Sequence, residues 1–349
     1  MHLTTFLFLA ALPLLSTTSP LPTILSTRSI TTNNTYPLPL PCTGEGCTYT
    51  TYSLQDSNVI AHTNGTLFRY SKSTDPGTGL TLATAPSLSG PWTRQANVLV
   101  PTDPNVQLLD PLATNNASQV QQWAPEVHRI ERKYYLYYTV DNSHQAPYLD
   151  VAVATSPDMS TGSWTDHGSI GIPEPTTKSW ANIDLNLLVD FTPGSTSING
   201  AVDPVRHVVW GSYNVGLYSG SLVSSGSPLT LTAGSVPKMV IADQATPIAP
   251  SGTANRTEAA FHFKYNNYVY LIYSRGNCCA YSTAAVPGTE YVTQVCRATN
   301  PDGPYVDREG LDCADGSNGS GTVLLASHCI DEKGNYQVWG PGSVGVLVS

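Results

Sequence analysis

Leu82-Ala83-Thr84-Ala85-Pro86, closed by Gly90-Pro91-Trp92, is written again as Val153-Ala154-Thr155-Ser156-Pro157 with Gly162-Ser163-Trp164. A weaker third copy is Val295-Cys296-Arg297-Ala298-Thr299 with Gly303-Pro304-Tyr305. The aromatic ends are separated successively by 72 and 141 residues, close to one and two periods of about 70. Leu217-Tyr218-Ser219-Gly220-Ser221-Leu222 stands where a degenerate copy belongs. Between the copies lie strand-sized runs bounded by Gly, Pro, Asn and Ser: 133–139, 207–212 and 268–274. No stretch carries a capped 3.6-residue apolar period, so the chain reads as all-β. A repeat of that length holds about four strands, which suits propeller blades better than solenoid turns. The residues from 50 to 349 leave room for between four and five repeats. The expectation is a five-bladed β-propeller whose last blade is incomplete.

Of the 349 residues only 12% are charged, 40% are hydrophobic, and Gly and Pro number 28 and 27. That composition excludes charge-driven disorder and a long coiled coil. The formal charge is −9, with 16 basic residues that form no cluster, so nucleic acid is not an expected partner. Residues 1–19 read as a secretory signal. Their apolar run, Phe6 to Leu15, is too short to span a bilayer, which takes about 20 residues. No other stretch is apolar enough to anchor in a membrane. Residues 20–46 form a Pro/Ser/Thr-rich arm, and 47–349 the propeller domain. A secreted, extracellular monomer is expected. Sequons at Asn33, Asn64, Asn116, Asn255 and Asn318 agree with that compartment, Asn64 falling in a hairpin-like turn. Seven cysteines lack redox or zinc spacing and are expected in disulfides. Cys42–Cys47 is the favoured pair; the adjacent Cys278 and Cys279 could join each other only with strain.

Several landmarks stand in order: Asp56 in Leu54-Gln55-Asp56-Ser57-Asn58-Val59-Ile60, then Trp123-Ala124-Pro125-Glu126-Val127, then Trp180-Ala181-Asn182-Ile183-Asp184. Gly211-Ser212-Tyr213, Arg256-Thr257-Glu258-Ala259-Ala260-Phe261, Cys278-Cys279 and Gly340-Pro341-Gly342 follow. On these residues the chain resembles glycoside hydrolase family 43, in particular its secreted fungal arabinan-degrading members, from about Cys47 to the end.

Hydrolysis with inversion needs an acid for the leaving oxygen and a carboxylate for water on the opposite face, about 6.5–9.5 Å apart. In a propeller the innermost strands surround one axis, so distant residues converge at its mouth. Asp56, Asp184 and Glu258 are 128 and 74 residues apart, close to two periods and one. The resemblance implies that Asp56 is the general base and Glu258 the general acid. It implies that Asp184 raises and orients Glu258. Departures are Ser57, Leu185 and Ala260 where the family commonly has Pro. Trp123 and Trp180 are read as sugar platforms, and Asn182 and Ser212 as hydrogen-bonding groups for sugar or carboxylate.

Related arabinanases often carry a His after Gly-Pro-Gly that helps bind a central cation, where this chain has Ser343. His62, His128, His207, His262 and His328 show no ligand spacing, so neither metal nor cofactor is expected. No phosphate-cradling loop or nicotinamide fingerprint occurs. The implied activity is endo-hydrolysis of α-1,5-linked arabinan of plant cell walls. Two alternatives are an α-L-arabinofuranosidase or β-xylosidase on the same scaffold, and a non-catalytic carbohydrate-binding propeller. The ending Val344-Gly345-Val346-Leu347-Val348-Ser349 is strand-like, and an unpaired edge there implies a shortened last blade and reduced stability.

Overall fold

The structure is a computed structural model. It describes residues 43–45, 55–103, 106, 118–141, 149–173, 181–190, 205–211, 213, 215–223, 230–232, 236–243, 256–278, 290–317, 320–330 and 336–347. These contain eighteen strands and no α-helix. Four sheets are four-stranded antiparallel meanders. The first holds β1 (Asn58–Ala61), β2 (Leu67–Ser71), β3 (Thr81–Ala85) and β4 (Thr93–Arg94). The second holds β5 (Gln121–Ile130), β6 (Lys133–Asp141), β7 (Leu149–Ser156) and β8 (Thr165–Ser169). The third holds β9 (Asn186–Asp190), β10 (Val205–Trp210), β11 (Gly216–Leu222) and β12 (Lys238–Ala242). The fourth holds β13 (Thr257–Tyr265), β14 (Tyr268–Arg275), β15 (Val292–Ala298) and β16 (Thr322–Leu325). A two-stranded sheet, β17 (His328–Ile330) and β18 (Tyr336–Val338), follows. The architecture is an all-β propeller. Its complete four-stranded blades number four among the described residues.

The repeated motif of the sequence is the third strand of each blade: β3, β7 and β15 carry the copies, and β11 the degenerate one. The three apolar runs read as strands are second strands, β6, β10 and β14. Their composition follows from burial on both faces. On β6, Tyr135 and Tyr137 pack toward the third blade with Val208 and Trp210, while Tyr134, Leu136 and Tyr138 pack toward the first with Tyr70 and Leu82. The core therefore lies between blades, and a strand sandwiched there shows no polar alternation. Tyr138 satisfies its hydroxyl by donating to Asp166 at 2.9 Å, as a buried phenol must.

Asn64 is exposed in the β1–β2 turn, where its side chain accepts the Thr66 N–H at 3.0 Å. Cys296 and Cys313, both buried, form a disulfide that the sequence reading did not single out. Cys278 is also disulfide-bonded. Cys42, Cys47 and Cys279 lie outside the described residues, as do the signal segment and the sequons other than Asn64. No helix of the described residues is long and apolar enough to cross a membrane.

Candidate active site

Five short segments line one open pocket: 56–58, 124–126, 184–185, 259–261 and 343–345. Two of them lead into the innermost strands β1 and β9, and two lie near the starts of β5 and β13. The fifth follows β18. Each starts on a residue in the left-handed region: Asp56 (φ 52), Ala124 (φ 43), Asp184 (φ 55), Ala259 (φ 52) and Ser343 (φ 54). Non-glycine residues adopt this region at a cost, Asp and Asn more readily than most. In β5 and β13 the same place is a register break, between Trp123 and Glu126 and between Glu258 and Phe261. Such breaks re-aim the side chains beside them. The turn of backbone at each strand start is thus repeated around the axis, and two of the five positions carry an aspartate.

Asp56 accepts a hydrogen bond from the Ser343 hydroxyl at 3.0 Å. Asp184 donates its N–H to Thr139 Oγ1 at 3.1 Å and accepts the Ala259 N–H at 3.0 Å, so it grips the residue next to Glu258. On the other side of Glu258, the Thr257 N–H and hydroxyl both donate to Asp243 Oδ1, at 3.0 and 2.5 Å. Glu258 is buried at 8% exposure and pairs across the ladder with Ser274. Ser274 Oγ accepts the Ser343 N–H at 2.8 Å, and Thr293 donates to the Pro341 carbonyl at 2.9 Å. The 341–343 segment therefore lies against the fourth blade and touches Asp56 of the first.

All three carboxyls hold their protons more tightly than usual, and burial is the largest cause in each. Asp56 is raised by burial, opposed by the Ser343 bond and the Lys72 charge. Asp184 is pushed up to about 7 by burial and then by the Asp56 charge; the Ala259 N–H and Lys72 oppose this. Glu258 goes well above the usual carboxylate range through burial and the charges of Asp184 and Asp56. Three acids of one sign in one dry place cannot all ionise. Burial and two like charges favour the protonated form of Glu258, while at Asp56 a serine and a lysine work against burial and favour the anion.

The other expected contacts divide. Trp123 is half-buried and lies outside the pocket lining. Lys72 Nζ sits 4.7 Å from its ring centre, and its indole N–H donates to Gln121 Oε1 at 3.0 Å. Asn182 is buried at 2% exposure and also outside the lining. Trp180 and Ser212 lie outside the described residues. Ser57, in place of a proline, bonds Ser71 through its hydroxyl at 2.7 Å. Among the described residues no group of three or more His, Cys, Asp or Glu is placed to hold a metal ion. The Ser343 hydroxyl is engaged with Asp56. The residues present thus do not fit a cation held through an imidazole at position 343.

Sequence reasoning missed the polar groups Asn58 and Glu126, which line the pocket, and Asn186 and His262, which are joined to them by hydrogen bonds. One signal was present, the repeated Asp-x-Asn of 56–58 and 184–186.

A sequence profile described as glycosyl hydrolases family 43 matches residues 112–323. The chain is 34% identical over 295 residues to the "probable arabinan endo-1,5-alpha-L-arabinosidase A" of Aspergillus flavus, covering 84% of this chain and 77% of that one. It is 35% identical over 315 residues to the corresponding enzyme C of Neosartorya fischeri, covering 90% and 82%. In fold it is similar to the endo-arabinanase of Bacillus licheniformis, with a TM-score of 0.64 at 22% identity over 88% of each chain. A native arabinanase of Bacillus subtilis gives a TM-score of 0.60 at 22% identity, over 84% of this chain and 85% of that one. This propeller, matched over most of its length by these relatives, belongs to glycosyl hydrolases family 43 and is an enzyme that hydrolyses glycosidic bonds.

Proposed function

We propose that the enzyme is a secreted, endo-acting hydrolase of α-1,5-linked L-arabinan that inverts at the anomeric carbon. The observation that carries this reading is the grouping of Asp56 and Asp184, which line one open pocket, with Glu258, which feels the charge of both and whose following residue Ala259 lines the pocket and is bonded by Asp184. Glu258 gives its proton to the glycosidic oxygen as the bond to the anomeric carbon breaks. Asp56 takes a proton from the water that attacks the opposite face. The α-linkage then yields a β-configured product. Asp184 holds the Glu258 backbone and, by its charge, keeps that acid protonated. The relatives named as arabinan hydrolases support the substrate, and five similar segments around the pocket support five blades, the last contributing 343–345.

Linear α-1,5-arabinan tests the reading. Wild type is expected to release short oligosaccharides, with the β-anomer appearing first by proton NMR. Glu258→Gln is expected to lose about 10²–10⁴-fold in kcat. Monomeric arabinose alone, or first appearance of the α-anomer, would refute the endo or the inverting assignment respectively. Cleavage only of aryl arabinofuranosides or xylosides would move the substrate to the other pentosides.

A further inference from the structure

From the pocket wall inward, the four innermost strands are joined by side chains rather than by a backbone ladder, since each sheet pairs only within itself among the described residues. Glu126 of β5 lies at the centre. Its Oε2 accepts from Asn58 Nδ2 of the first blade at 2.5 Å. Its Oε1 accepts from Asn186 Nδ2 of the third blade at 2.6 Å and meets His128 Nε2 at 2.7 Å. Asn186 Oδ1 accepts the His262 N–H of the fourth blade at 2.9 Å and also faces His262 Nδ1. Glu126, Asn186 and His262 are all buried.

We propose that Glu126 is a positioning residue, a carboxylate clamp that holds the three acids of the pocket in mutual register across four blades. The proposal rests on the arabinanase reading of that pocket. Its argument is the polarity of the network. Asn58 Oδ1 accepts the Val127 N–H at 3.2 Å, so the amide must turn its NH₂ toward Glu126. Asn186 Oδ1 is committed to His262 in the same way. Two amide donors with fixed orientation and one imidazole nitrogen therefore converge on a single side chain. A carboxylate can accept from all of them, whereas an amide offers one oxygen and places a donor against a donor. Each asparagine stands two residues beyond a pocket acid, Asn58 beyond Asp56 and Asn186 beyond Asp184, so fixing the amide fixes the strand start that aims the acid. His262, kept neutral by burial that lowers its pKa to about 3, ties in the strand that carries Glu258.

The test is Glu126→Gln, with the double variant Asn58→Asp/Glu126→Gln beside it. In the double variant the carboxylate moves to position 58. There it accepts the Val127 N–H and the new amide donor, while the amide oxygen at 126 serves Asn186 and His128. Glu126→Gln is expected to lose about 10–100-fold in kcat on arabinan, because a misplacement of about 1 Å can cost 10²-fold, with KM within about threefold. The double variant is expected to recover at least about tenfold of that loss. An unchanged kcat in Glu126→Gln, or a double variant no better than the single, overturns the proposal. A second readout needs no substrate: the infrared carboxyl band lost in Glu258→Gln is followed through a pH titration. In Glu126→Gln it should titrate closer to the ordinary carboxylate range, and in the double variant return. A band that does not move overturns the proposal even if wild type proves silent on arabinan, an outcome that would separately sink the substrate assignment.

Discussion

Asp184→Asn separates the demand of the active site from the demand of the fold. Asp184 titrates near 7 in the folded protein against 3.8 for the free group. At 1.36 kcal/mol per pH unit, that difference is worth about 4 kcal/mol. The sign follows from proton binding. Between the two values the folded state holds the proton and the unfolded state does not, so stability falls as pH rises from about 4 to about 7. Below the lower value both states are protonated and the penalty vanishes; above the upper value it is complete. Relaxation and water penetration at an open pocket lower the effective penalty of the buried anion, so removing the charge should recover about half, roughly 2 kcal/mol. The asparagine oxygen can still accept the Ala259 N–H, so the grip beside Glu258 survives. Urea unfolding at pH 8 should show the variant more stable by about 2 kcal/mol, with a melting point higher by roughly 4 °C. At pH 4 the two proteins should coincide. Activity moves the other way, since Glu258 loses a like-charge neighbour and the basic limb of the kcat/KM profile shifts to lower pH. Equal stabilities at pH 8, or a gain as large at pH 4, would refute the reasoning.

Ser343→Ala removes the hydroxyl that stabilises the Asp56 anion, so the acidic limb of the same profile should move to higher pH, by roughly half a unit to one unit for one lost bond; an unmoved limb counts against Asp56 as the base. Cys313→Ser opens a loop closed across 17 residues and should cost about 3 kcal/mol in urea unfolding, with kcat unchanged because the bond ties the third strand of the fourth blade to a loop and neither cysteine lines the pocket. Leu136→Ala, at 0% exposure between the first two blades, should cost about 2–5 kcal/mol by the same assay. A loss under 1 kcal/mol there would mean that the inter-blade core collapses onto the gap.

Third strands were legible because a blade repeats its chemistry: small residues, a turn and an aromatic ring recur in Leu82–Trp92 and Val153–Trp164. Second strands such as Lys133-Tyr134-Tyr135-Leu136-Tyr137-Tyr138 were legible because burial on both faces leaves a continuous apolar run. The disulfide was not legible. Cys296 sits on β15 and Cys313 in the loop that returns across its outer edge, where the Val306 N–H donates to the Arg297 carbonyl at 2.8 Å. Proximity of that kind depends on how a loop folds back, and spacing along the chain does not encode it.

The three acids divide in the same way. Their residue types, their apolar contexts and their separation near multiples of the period can be read from the chain, because the inner strand of each blade starts at a similar point of its repeat. What sets their environments apart is their burial, Ser343 arriving beside Asp56, and Asp184 reaching the Ala259 N–H. Those contacts join residues up to 287 positions apart. Glu126 shows the limit most clearly. It was present in Trp-Ala-Pro-Glu-Val from the start, yet nothing local distinguishes it from any strand glutamate. Its role comes from two asparagines on other blades whose amides are already committed elsewhere. Periodicity determines which strands form and which segments reach the axis; closure of the ring alone decides which side chains meet there, because hydrogen bonding and charge act through space and not along the chain.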